Sequence, residues 1–257
     1  MSIFKQFAKS FYSPQTIATY RFQGIGKTIL YIFFLTLVSS IPSAFFFSSG
    51  FYNTLSATSQ IAETDLPDFK ISDGKLLSSE TEPIEINHDG FTLFFDSTGT
   101  LSSKEIEIKK DAIALLKNEV VLIANYEAQS YDYSMLQDFE LSDDDLTSFI
   151  QTIQSLLPII IPLALLVMYI FASGLKFIEI TILAFIGLLI KNMSGRTIRY
   201  RHSWILATYS VTISTVFFTV MNALRINVPS AFLLNWFVSI TVLTLTIKEI
   251  PRRKTLK

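Results

Sequence analysis

Between Phe149 and Ile190 the chain carries an apolar block with only two charges, Lys176 and Glu179, opening directly after the acids Asp143, Asp144 and Asp145. Helical throughout at 1.5 Å per residue, it would reach about 63 Å, twice the ~30 Å hydrocarbon thickness of a bilayer. Such a segment calls for lipid as its solvent, and its length obliges it to fold back, break or lie partly along the surface. The rest agrees: 257 residues that are 50% hydrophobic and 14% aromatic, with a mean hydropathy of +0.43, are too apolar for one ordinary soluble domain.

The net charge of -1 conceals a sorting by segment, because residues 1–62 hold no Asp or Glu while residues 63–145 hold 20 of the 22 acids. That stretch has six Lys and no Arg, so it is strongly anionic. Cysteine is absent and only His88 and His202 occur, which removes disulfides, thiolate nucleophiles and Cys/His zinc sites.

Residues 1–27 read as a cytoplasmic amphipathic segment. Ile3, Phe4, Phe7, Ala8 and Phe11 fall at helical spacing opposite Lys5 and Lys9, which suits either a helix in the membrane interface or one packed on the protein itself. Residues 28–47 form the first spanning candidate, 20 residues without a charge, preceded by Lys5, Lys9, Arg21 and Lys27. Positive flanks assign the N-terminus to the cytoplasm, and the run is long for a signal peptide, so an uncleaved anchor is expected.

Residues 48–145 have the composition of a folded, acidic, β-rich module, expected outside the cytoplasm. Asp73-Gly74 and Asp89-Gly90 each separate extended runs, the strongest short-range hairpin signal. Further strands are expected at residues 105–108 and 120–124. Ser142 to Asp145 reads as a capping box that opens the next helix, with acids at the positive end of its dipole.

Residues 146–247 read as a helical membrane domain with helices at about 146–171, 175–190, 204–221 and 231–247, the first two separated at Ser173-Gly174. The last two are rich in Ser and Thr, read as close-packing surface. A basic tail, residues 248–257, closes the chain. Five crossings from a cytoplasmic N-terminus would put both the Arg196–Arg201 loop and the tail outside, against the positive-inside rule. Four crossings, with residues 175–190 re-entrant or interfacial, return both to the cytoplasm. The expected fold is therefore a membrane α-helical bundle of about five helices with a small β-rich extracytoplasmic domain inserted after the first, the side of the C-terminus being left open.

Lys176 and Glu179, three apart, are the candidate intramembrane charge pair, since ionisable groups in a membrane helix mark ion or solute paths. Arg196, Arg199, Arg201, Arg252, Arg253 and Lys254 are candidate contacts for lipid headgroups or a partner. The run Phe94 to Leu101, with Asp96-Ser97-Thr98-Gly99, resembles the phosphorylation motif of P-type ATPases, but the large α/β core and magnesium carboxylates that chemistry needs are missing, and a turn accounts for it. No catalytic, cofactor or metal-binding residue is assigned.

The aromatic stretch Phe4 to Tyr12, the segment Leu66-Pro67-Asp68-Phe69 with Gly74-Lys75-Leu76, the Phe95–Gly99 turn and the helices after Tyr209-Ser210 carry a resemblance over nearly the full chain. The layout resembles a domain-of-unknown-function family of polytopic membrane proteins from Gram-positive bacteria, some labelled maltodextrin utilisation proteins. That family is distantly similar to the Yip-type five-helix membrane proteins, which implies a five-helix bundle. The expectation that follows is a non-enzymatic accessory or sensory protein of the bacterial plasma membrane. Its outer domain would bind a partner or ligand, with the bilayer and a protein of the membrane or envelope as partners and no nucleic acid or cofactor. The alternative is a small transporter or transporter subunit linked to sugar uptake.

Overall fold

A computed structural model describes residues 1–88, 91–106, 112–124, 126–136 and 140–251. It divides into a helical unit, residues 1–47 with 161–257, and a second unit, residues 48–160, which holds all the described strands. Four helical segments are long and apolar enough to cross a membrane: Ile25–Asp65, Asp143–Met193, Tyr200–Ala223 and Ala231–Lys248. The chain is a membrane protein built of long apolar helices and a separate small β region.

In the helical unit, α1 (Ile3–Ser10) and α2 (Pro14–Thr19) precede α3 (Ile25–Gln60). Both short helices begin on a serine whose hydroxyl accepts from the backbone three residues on, Ser2 from Lys5 and Ser13 from Thr16, as helix N-termini require. The N-terminal helix packs on the bundle rather than standing free of it. Gln6 and Ser10 are buried, and Ile3 and Phe7 join the core formed by Tyr31, Ile32 and Leu35 of α3 with residues of the later helices.

The first spanning helix outruns its expected end at Phe47, continuing to Gln60 and through a wider π turn to Asp65. Residues 48–60 are polar but hold neither proline nor charge, so nothing in them stops a helix already propagating.

The expected break at Ser173-Gly174 is absent. Residues 143–193 form one 51-residue helix, α5, replacing the separate helices expected at 146–171 and 175–190. In water a serine and glycine weaken a helix, but flanked by apolar residues in lipid the backbone has no water to bond, so the i→i−4 ladder is kept. The helix expected at 204–221 is α6 (Tyr200–Ser210) followed by α7 (Thr212–Ala223), joined at Val211 with its bonds to Ala207 O (3.2 Å) and from Thr215 N (2.9 Å) intact. The last helix, α8, is Ala231–Lys248.

At one end of the helical unit the Arg196–Arg201 segment meets the residues before α3 and the end of α8. Arg201 donates to Gln23 O (3.4 Å), and Arg196 donates to Lys248 O (2.7 Å) and Ile250 O. At the other end, Asn222 Nδ2 donates to Ser43 Oγ (2.8 Å) and Arg225 lies over the Phe46 ring. With α5 continuous, the candidate spans number four among the described residues rather than five.

The second unit holds two sheets. In one, β1 (Phe69–Ser72) pairs antiparallel with β2 (Lys75–Ser78) and with β8 (Leu141–Ser142). Asp73 and Gly74 both take positive φ, 51° and 71°, which the tight turn demands. The other sheet has the order β3 (Ile84–His88), β4 (Phe91–Asp96), β5 (Ala112–Leu116), β6 (Glu119–Ala124), β7 (Glu127–Asp132). β3 and β4 pair antiparallel; Asp89 and Gly90 lie outside the described residues.

β4 and β5 run parallel, so the chain must cross over between them. Part of that crossover is α4 (Ser103–Ile106), which overturns the strand expected from Glu105; residues 107 and 108 lie outside the described residues. The helix is opened by Ser102, whose N–H and hydroxyl both bond Glu105 Oε2 at 3.0 and 3.2 Å. Ser142 and Asp145 make the equivalent exchange at the start of α5: Ser142 N to Asp145 Oδ2 at 3.0 Å, Asp145 N to Ser142 Oγ at 3.2 Å.

Candidate functional site

The polar side chains of the helical unit collect inside it. Most hydroxyls there serve the helices themselves: Thr208, Ser210, Thr219, Thr241 and Thr244 donate to the carbonyl four residues back. Others tie helices together: Ser214 Oγ meets Ser239 Oγ (2.8 Å), Ser203 donates to Ala184 O (2.7 Å), and Tyr31 Oη meets Thr212 Oγ1 (2.7 Å). Gln6, Gln23 and Tyr209 form a further chain, with Gln23 Nε2 donating to Tyr209 Oη (2.6 Å) and Tyr209 Oη to Gln6 Oε1 (3.3 Å). In a medium without water each such group needs a protein partner.

One cluster holds charge. Lys176 Nζ donates to Glu179 Oε2 (2.7 Å) and to Thr215 Oγ1 (3.2 Å), while Asn235 Nδ2 donates to Glu179 Oε1 (2.7 Å). Both charged side chains are only 16% exposed. Three helices thus contribute: α5 the ion pair, α7 the threonine and α8 the amide. Because α5 is continuous, the pair lies within the helix and not at a break, and its position opposite Thr215 sets it inside the Tyr200–Ala223 span.

Beside it opens a cavity of about 460 Å³. Ser39 of α3, Lys176, and Thr215, Thr219 and Asn222 of α7 line it with Asn235, while Phe218, Phe232 and Ala231 supply apolar wall. Sequence spacing gave Lys176 and Glu179 as neighbours. It did not give Thr215 or Asn235, which come from 39 and 56 residues further along the chain. Asn235 did carry a signal, being the sole amide in the apolar run from Ala231 to Ile247.

The basic residues separate into two kinds. Arg196 is committed to the carbonyls that end α8, which have no partner inside that helix, and Arg201 bonds Gln23 O, so both have structural tasks. Arg199 is exposed just before α6. Arg252, Arg253 and Lys254 lie outside the described residues.

In the second unit Asp96 is fully buried at the end of β4. Its Oδ1 accepts from Thr98 N (2.8 Å), Thr98 Oγ1 (2.6 Å) and Gly99 N (3.1 Å), and its Oδ2 from Leu101 N (2.6 Å). Burial raises the carboxyl's pKa, but the Thr98 hydroxyl and the three backbone donors outweigh it and hold it below its ordinary value. Both oxygens are occupied in holding the turn, which is what the Asp-Ser-Thr-Gly run does here. Among the described residues no group of three or more His, Cys, Asp or Glu converges to hold a metal ion.

A family model described as a protein of unknown function, DUF1189, matches residues 4–247. No curated protein and no solved structure matches the chain.

Proposed function

We propose that this chain, which belongs to the DUF1189 family of proteins of unknown function, is a non-enzymatic accessory or sensory protein of the bacterial plasma membrane. Its N-terminus lies in the cytoplasm and its acidic β-rich module outside, where that module binds a partner or ligand. The observation that carries this is the sorting of charge. At one end of the helical unit Arg201 bonds Gln23 O and Arg196 bonds Lys248 O, and residues 63–145 hold nearly all the acids. Cationic ends are retained on the cytoplasmic side.

A chain without native cysteine makes the test clean. Asp73→Cys should react with a membrane-impermeant maleimide on intact cells, and Ser194→Cys only after lysis; the reverse pattern would end this reading. Crosslinking from Asp73→Cys should then capture one stoichiometric partner.

The cavity beside Lys176 and Glu179 favours a second reading, a small transporter or transporter subunit linked to sugar uptake. Reconstituted flux of a labelled maltodextrin should vanish in Lys176→Ala/Glu179→Ala, and unchanged flux would remove those residues from the path.

A further inference from the structure

The cavity in the helical unit sets a cationic donor at one corner and several free acceptor oxygens along its rim. Lys176 has three ammonium hydrogens, of which Glu179 and Thr215 take two; among the described residues nothing takes the third, and Lys176 lines the cavity. Glu179, a carboxylate, can only accept, so the Asn235 amide must turn its NH2 toward it at 2.7 Å and leave its Oδ1 over. Asn222 gives its NH2 to Ser43 and likewise keeps an oxygen. Thr219 and Ser39 direct their hydroxyl hydrogens to the carbonyls of Thr215 (2.8 Å) and Thr36 (2.9 Å), so they offer the cavity lone pairs only. One corner carries a cationic donor, and the rim offers free oxygens beside the second amide N–H of each asparagine.

Charge narrows the occupant further. Glu179 already neutralises Lys176, so a ligand with net charge would bring an uncompensated charge into a low-dielectric site, whereas a net-neutral one would not. An occupant with an anionic end for Lys176, an ammonium end for the amide and hydroxyl oxygens, and no net charge meets both conditions. A polyol can use the same neutral donors and acceptors, but it brings neither an anion for Lys176 nor a cation for the free oxygens. At about 460 Å³ the cavity falls within the range of small-molecule sites, roughly 300–1,000 Å³.

We propose that this cavity is a zwitterion-binding site, with the carboxylate or phosphate of the ligand on Lys176 Nζ and its ammonium among the oxygens of Asn235 and Asn222. Two sources share that chemistry, a free amino acid and the headgroup of an ethanolamine phospholipid. The assignment goes beyond the first functional reading, since it places binding in the membrane unit whether or not the ligand crosses, and it competes with the second, which takes a sugar at the same cavity.

The test uses the purified full chain in detergent micelles, with folding of every variant checked by circular dichroism. In one arm leucine, sorbitol, spermidine and citrate are titrated by calorimetry. In the other, retention of phosphatidylethanolamine against phosphatidylglycerol is read by native mass spectrometry. Saturable leucine binding identifies a free amino acid, and selective retention of phosphatidylethanolamine identifies the headgroup. Either should weaken at least tenfold in Asn222→Leu, which leaves the ion pair intact, and in Lys176→Met/Glu179→Gln, which removes both charges at once. Binding by neither zwitterion, tighter binding of sorbitol or of a charged probe, or affinity unchanged in both variants overturns the proposal. Cysteine labelling is blind to all of these outcomes, so the topological reading stands or falls separately.

Discussion

The two units of this chain solve the same packing problem in opposite senses. In the second unit the apolar side chains Phe69, Ile71, Leu76, Leu93 and Phe95 are inside, and the acids are mostly at the surface. In the helical unit Phe171, Leu175, Phe232 and Phe237 are about 70% exposed, while Thr208, Ser210, Thr212 and Ser214 are fully buried or nearly so. Lipid tails are as apolar as leucine, so the helices gain nothing by hiding leucine from them; what they must hide is anything that needs a hydrogen bond. The two units therefore differ in where a lost polar partner hurts, and substitutions can test that.

The largest effect is expected at the ion pair. Lys176→Met leaves Glu179 with Asn235 as its remaining donor and a negative charge with no counter-charge bonded to it among the described residues, at a cost of about 3–5 kcal/mol. The double variant Lys176→Met/Glu179→Leu removes the charge altogether and should recover most of that loss. Unfolding by sodium dodecyl sulfate in mixed micelles measures both. A double variant as weak as the single one would show that the pair's charge is not what costs stability here.

Asp96 is the module's counterpart, a buried charge satisfied by one turn. Asp96→Ala orphans several buried or half-buried donors at about 1–3 kcal/mol each, softened by water near the turn, so a net loss of about 3 kcal/mol is expected. Hydrogen exchange at Gly99 and Leu101 in the full chain would read it. The pH dependence has a definite sign. The folded carboxyl sits below its ordinary 3.8, so its contribution is fully present above that value and is lost as pH falls through the lower, folded one. Asp96→Asn should flatten that acid limb of the module's stability, and an unchanged limb would assign it to other carboxylates.

Gly187 tests packing without charge. A Cβ there would collide with Ser203 Oγ, itself held on Ala184 O, and come within 3.2 Å of Leu243 Cδ2. Gly187→Ala should therefore cost about 2 kcal/mol of helical-unit stability, where the same change in an ordinary exposed helix would gain about 1. A stabilised variant would mean α5, α6 and α8 have room to separate.

What could be read from the sequence follows from range. The Asp73-Gly74 turn, the Ser142–Asp145 cap and the Lys176–Glu179 pair are local, set by residues within a few positions of one another, and each is present. The Ser102–Glu105 cap is just as local, but it falls where a strand is expected from Glu105, and the cap opens a helix instead. The missing break in α5 has a different cause, since Ser173-Gly174 weakens a helix in water but not one whose backbone has no water to bond. The cavity was beyond reach for a third reason. Its lining comes from four helices, and nothing in the order of residues states that Ser39, Thr215 and Asn235 share a wall.

The smallest effect is expected at Lys70 and Glu140, an ion pair of the second unit, 2.6 Å apart with side chains 49% and 70% exposed. On geometry alone it matches Lys176–Glu179, which is 2.7 Å long. The surroundings differ: water screens Lys70 and Glu140 and takes up either group once its partner is gone, so the pair contributes about 0.2–0.5 kcal/mol. Lys70→Ala should shift the module's unfolding by no more than that, and 0.5 M salt should erase the shift. Lys176→Met should be insensitive to salt, because ions do not enter a lipid-bounded site. Equal responses at the two pairs would mean that the cavity beside Lys176 admits bulk solvent, and the contrast between the units would then stop at the mouth of that cavity.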